Sequence, residues 1–104
     1  MKNESIRAQD SIGIDINAIR EAVVSLEFQN NIEKRALILI SSFPFLIIGT
    51  IEEVVSDYLV IKAEVTNVTE LDGEVFRIHI DDIEVFYIEK EGREIPDIRA
   101  GHHA

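Results

Sequence analysis

From Ala36 to Ile51 the chain carries no charged residue. Any fold must hide that run from water. A membrane-spanning helix needs about 20 predominantly apolar residues. This run is shorter, and Ser41-Ser42, Pro44 and Gly49 interrupt it. Its Ile content and its breakers read as two buried strands instead, and a membrane span is not expected. Residues 36–40 form the first, apolar on both faces. Phe43-Pro44 marks a turn, because Pro44 cannot donate to a sheet ladder. Residues 45–55 form the second. Gly49 sits where a strongly bent strand wants a residue without a Cβ.

The pattern continues in strand period. Ser56-Asp57 is a tight turn. Residues 58–66 alternate, with Leu59, Ile61, Ala63 and Val65 on one side. Asp72-Gly73 is a hairpin cue, since glycine takes positive φ cheaply. Residues 75–80 place Phe76, Ile78 and Ile80 inward and Arg77 and His79 outward. Asp81-Asp82 reads as a short turn, a single 3₁₀ turn at most. Residues 83–88 form a fifth strand, with Ile83, Val85 and Tyr87 alternating with Glu84, Phe86 and Ile88. Five short strands at close spacing are too few for a sandwich. The expectation is a mainly β (α+β) domain: a small, strongly bent antiparallel barrel, which solves the edge problem by closure.

Ahead of the strands, residues 15–33 read as a helix. Asp15 or Asn17 can cap it, and Asn30-Asn31 can end it. Ile16, Ile19, Val23 and Leu26 recur at three- and four-residue steps and form one stripe. The stripe either packs on the chain's own sheet or meets a second copy, since the steps match a short heptad seam. Residues 1–14 are poorly patterned and expected to be partly disordered. Residues 90–104 read as a polar tail beyond the 15–89 domain. One domain fits a chain of 104 residues.

Charge limits the partners. Twenty acidic against ten basic residues give a net charge of −10. That field repels phosphate backbones and anionic lipid surfaces, so nucleic acid and membranes are not expected partners. The chain contains no cysteine. A disulfide framework and thiolate chemistry are excluded, and a reducing, cytoplasmic setting fits. The first ten residues lack the apolar stretch of a signal peptide.

Gly49-Thr50-Ile51-Glu52-Glu53-Val54 followed by Tyr58-Leu59-Val60-Ile61 resembles the second and third strands of Sm-like proteins. Phe76 to Ile83, running on to Tyr87-Ile88, looks like the closing hairpin of that fold and of other SH3-like small barrels. The resemblance implies a small barrel behind a helix, and a tendency to pair edges into rings. It does not carry the RNA-reading residues. Leu59 stands at the Asn position and Val55 at the Asp position. Ile80-Asp81-Asp82 occupies the last turn, where a donor or cation would be wanted.

No catalytic, cofactor or phosphate-binding motif is present, and no enzymatic activity is expected. Ser41-Ser42 lack a base and a nucleophile elbow. Arg77, His79 and Asp81 fall on one side under a two-residue repeat. A His beside an Asp can titrate near neutrality or hold a metal. One His without matching ligand spacing reads first as a mixed-charge surface ladder. Asp81-Asp82 with Glu84, and Glu52-Glu53 with Asp57, read as solvated turn carboxylates, because neither has a calcium-binding loop. His102-His103 can bind a stray transition metal, or be an engineered remnant.

The informative feature is apolar excess. A barrel strand needs only one apolar face, yet residues 36–40 and 83–88 have two. Large exposed apolar patches are rare on monomers. Ile16, Ile19, Val23 and Leu26 of the helix are therefore expected to form a self-association surface with Leu37, Leu39, Val85, Phe86, Tyr87 and Ile88. The expected function is a non-enzymatic assembly or protein-interaction module, with itself as first partner. The alternatives are an Sm-like nucleic-acid-binding ring and a small ligand- or metal-sensing domain.

Overall fold

The computed structural model describes residues 15–40 and 45–96. The expectations for residues 1–14, the Ser41-Ser42 and Phe43-Pro44 turn, and His102-His103 lie outside the described residues. One helix, α1 (Ile16–Gln29), precedes five strands: β1 (Arg35–Ile40), β2 (Phe45–Val55), β3 (Tyr58–Thr66), β4 (Val75–His79) and β5 (Ile83–Ile88). Among the described residues no helix is long and apolar enough to cross a membrane. The uncharged run instead supplies the antiparallel pair β1 and β2, in register from Arg35 opposite Thr50 to Ile40 opposite Phe45.

The strands form one sheet in the order β4-β3-β2-β1-β5, antiparallel throughout. This is an α+β architecture. The expected closure into a barrel is not present: β4 and β5 are the two outer strands, joined in sequence by the 3₁₀ turn Ile80–Asp82. Among the described residues each keeps one edge without a ladder partner.

Three bulges change which side chains share a face; one is in β2, where Ile51 pairs with Ile61 and Glu53 with Val60, so Glu52 is the extra residue. In β3, Val65 lies opposite Ile48 and Ala63 opposite Gly49, so Glu64 is the extra residue. The alternation through Leu59, Ile61 and Ala63 therefore breaks, and Thr66 rather than Val65 is buried. The Asp72 carboxylate accepts hydrogen bonds from both the amide and the hydroxyl of Thr66. In β5, Ile83 pairs with Ile40 and Val85 with Leu39, leaving Glu84 as the extra residue. Ile83 thus joins Phe86 and Ile88 on the core side instead of lining up with Val85 and Tyr87. The core gathers Ala36, Ile38, Ile47, Ile51, Leu59, Ile61, Ile78, Ile80, Ile83 and Ile88 around Phe28.

Helix α1 is shorter than the expected 15–33 stretch. Asp15 caps its start, its carboxylate accepting from the Asn17 and Ala18 amides. Asn30 ends it, and Glu33 takes a left-handed φ of 75°. The Glu33 amide then donates to Ile51 O, and the Ile51 amide to Lys34 O, which joins the loop to β2.

The segment after β5 does not run free. Ile95 is buried, its amide donating to the Glu89 carboxylate, which also receives Arg35 Nη1 at 2.8 Å. The Tyr87 hydroxyl donates to Arg93 O at 2.7 Å. A polar tail starting at residue 90 is thus corrected: at least to Ile95 the chain packs back on β5. Lys90-Glu91-Gly92-Arg93 turns sharply, with Gly92 at φ 83°, and a lone isoleucine amid charges gave little signal of it.

Gly49 sits at the tightest point of the sheet. A Cβ there would overlap the carbonyl oxygen of Lys62 and lie 2.8 Å from Ala63 Cα, both on the backbone of β3. Backbone in a paired strand cannot yield as a side-chain tip can. Gly49→Ala should therefore cost about 3 kcal/mol of stability, within the range for overpacked cores. Urea unfolding followed by circular dichroism measures it, and a loss below about 0.5 kcal/mol would contradict this packing.

Candidate functional site

His79 ends β4 at the sheet edge, and two carboxylates and one backbone amide from separate parts of the chain converge on it. Asp57 comes from the two-residue turn between β2 and β3, where Ser56 takes a left-handed φ of 56°. Its Oδ2 lies 3.0 Å from His79 Nε2. Asp81 comes from the 3₁₀ turn, and its amide donates to His79 Nδ1 at 3.2 Å. Glu21 comes from the middle of α1, which packs on β2 and on the 3₁₀ turn. The ring of Tyr58 stands edge-on to the imidazole, centroids 5.2 Å apart.

One ligand atom each from Glu21, Asp57 and His79 lies within 4.8 Å of the other two. All three residues are half-buried. Glu21 Oε2 is shut off from solvent, and no donor among the described residues reaches it. The Glu21 carboxyl is pushed above its usual range, first by desolvation and then by the Asp81 and Asp57 carboxylates. Asp81 also shares a side-chain hydrogen bond with it, while His79 acts in the opposite direction. Such a junction can hold a proton or a cation.

Sequence spacing put Arg77, His79 and Asp81 on one side. The structure brings His79 and Asp81 together; Arg77, opposite Val60 and on the same face of β4 as His79, stays exposed. Asp57 and Asp81, read as parts of separate acidic turns, meet at the same imidazole. Glu21 was missed altogether. Its only sequence signal is a charge three and seven residues before Val24 and Phe28, the side chains that dock the helix.

Docking also decides the apolar stripe. Phe28 is fully buried, and its ring lies 4.7 Å from that of Phe86. Glu21, Val24, Ser25 and Phe28 are the residues of α1 withdrawn from solvent. At about 100° per residue, Ile16, Ile19, Val23 and Leu26 point roughly 180° away from them. They are 74, 49, 61 and 56% exposed. The stripe does not pack on the chain's own sheet. On the sheet, Leu37 and Leu39 are half-buried and Val85 is half exposed, beside a Tyr87 tied to the returning segment. Phe86 and Ile88 belong to the chain's own core side.

A scan against protein-family models finds none that matches, and a search of curated proteins finds no match. The sites stand on their own geometry.

The strained carboxyl sets a pH dependence. A carboxyl whose pKa is raised on folding binds its proton more tightly in the folded state. Its stabilising contribution is complete below the ordinary value of 4.5 and disappears as pH rises through the folded value. In chelator-treated protein, Glu21→Gln should flatten that part of the stability profile and make the variant at least as stable as wild type at pH 7. Thermal melts from pH 4.5 upward test this. An unchanged slope would place the pH dependence elsewhere.

Proposed function

We propose that this protein is a non-enzymatic assembly module that associates with a second copy of itself through the outward stripe of α1. The carrying observation is the exposure of Ile16, Ile19, Val23 and Leu26 on the face opposite the docked one. Four large aliphatic side chains in one row on one helix are a standing cost in water. Burying each fully is worth about 1.5–3 kcal/mol.

The occupant that fits is the same stripe. Its steps of three, four and three residues are those of two facing heptad seams, and a two-fold axis lets one patch serve both partners. The stripe carries no charge of its own. A chain of net charge −10 therefore meets its copy where charges are absent and where burial can outweigh the repulsion. The unpaired edges of β4 and β5, with Val75 and Val85 about half exposed, offer a further route to pairing. The Sm-like resemblance belongs to this reading; the helix ahead of five short strands and the 3₁₀ turn before the last strand support it.

The test uses Ile19→Glu together with Val23→Lys. The pair keeps the net charge and places Glu four residues before Lys, a helix-favouring spacing. Size-exclusion chromatography with light scattering should show a defined oligomer for the wild type and a monomer for the variant. The melting temperature of the variant should lose its dependence on protein concentration. Both side chains are exposed in the isolated chain, so its intrinsic stability should shift by no more than about 0.5 kcal/mol. A wild type that stays monomeric at high micromolar concentration overturns the proposal.

A further inference from the structure

We infer that Glu21, Asp57 and His79 form a site for a divalent transition-metal ion. The three ligand atoms already lie within 4.8 Å of one another. Bonds of about 2.1 Å at tetrahedral angles would bring such atoms to roughly 3.4 Å apart. One pair, His79 Nε2 and Asp57 Oδ2, stands at 3.0 Å. Small side-chain rotations separate this arrangement from a coordination sphere.

A second observation points the same way. Glu21 Oε2 is closed off from solvent with no donor among the described residues, although the Asp81 carboxyl lies against the same side chain. An acceptor in that position wants a donor or a cation. What it has nearby are the Asp81 and Asp57 carboxylates, with His79 as the favourable neighbour. The ligands also come from a helix, a β-turn and a strand end, so they are not a run of solvated acids on one loop. The fold has to bring them together, and it turns the one glutamate of the docked face of α1 toward them.

The donor set selects the class of ion. One imidazole with carboxylates suits Zn²⁺, Co²⁺ or Ni²⁺. Calcium would need six or more oxygens. Three protein ligands leave a fourth position open to water. Proton bookkeeping follows from the hydrogen bonds. In the metal-free protein His79 Nδ1 accepts from the Asp81 amide, so a neutral ring carries its hydrogen on Nε2, facing Asp57. A metal on Nε2 moves that hydrogen to Nδ1, and the Asp81 amide loses its acceptor. A proton held by the Glu21 carboxyl is released to solvent. The bound ion would clamp α1 to the β2–β3 turn and to the end of β4. The site lies on the docked side of α1, away from the outward stripe, and does not depend on self-association.

The test starts from the full chain carrying His102→Ala and His103→Ala, so that the terminal pair contributes nothing. After treatment with chelator, ZnCl₂ and CoCl₂ are titrated by calorimetry and by amide NMR. The expected result is one ion per chain, a higher melting temperature, and a shift of the Asp81 amide on loading. Glu21→Gln, Asp57→Asn and His79→Ala should each weaken binding by about tenfold or more. Glu21→Gln and Asp57→Asn are near-isosteric and keep the test valid if His79→Ala fails to fold. No heat and no shift with zinc in large excess would overturn the assignment. So would binding that survives both near-isosteric variants, or a stronger response to CaCl₂ than to ZnCl₂.

Discussion

Burial of Phe28 decides how the rest of the molecule is presented. A helix of 14 residues is marginal by itself in water. It is held here by one aromatic ring seated against Phe86 and the sheet core. That single anchor sets the rotation of α1. Val24, four residues back, turns inward with it, and so does Glu21, seven residues back. Everything a third to a half turn further round is carried outward. The apolar stripe and the His79 junction are thus two consequences of one packing event: the ring that seats the helix exposes four aliphatic side chains and pulls a carboxylate into an acidic neighbourhood.

The sheet that receives the helix is shaped by close approach and by extra residues. Without a Cβ at Gly49, β2 and β3 come together nearer than any side chain allows. Bulges at Glu64 and Glu84 let each strand shift its later residues to the opposite face. Glu64, extruded from the ladder, becomes the partner of Arg35, which also holds Glu89. Through Glu89 and Tyr87 the segment after β5 is tied back and Ile95 is buried. The chain covers part of its second apolar face with its own continuation.

Much of the exposed apolar surface lies on the helix and on the outer strands, and it is uncharged in a protein of net charge −10. That division keeps charge and exposed aliphatic surface in separate places. Charges fill the turns and polar faces, where they repel phosphate and lipid surfaces. Aliphatic side chains occupy one helical row, where only a matching apolar surface relieves them. At the junction of Glu21, Asp57 and His79, acidic groups are drawn together rather than spread out.

Strand positions were legible in the sequence almost to the residue, because a two-residue period, a proline, a glycine and turn residues act locally. The 3₁₀ turn after His79 and the Asp15 cap were readable for the same reason. The stripe was also visible as a stripe. Its direction was not, because Ile16, Ile19, Val23 and Leu26 outnumber Val24 and Phe28, and counting apolar residues favours the wrong face. Shape complementarity between Phe28 and the hollow beside Phe86 is a property of the assembled sheet. Barrel closure, the face changes at the bulges and the return of Ile95 likewise depend on which backbones meet. The meeting of residues 21, 57, 79 and 81 is the clearest case. Each is an ordinary surface residue in its own segment, and only the docking of a helix onto a sheet edge makes them neighbours.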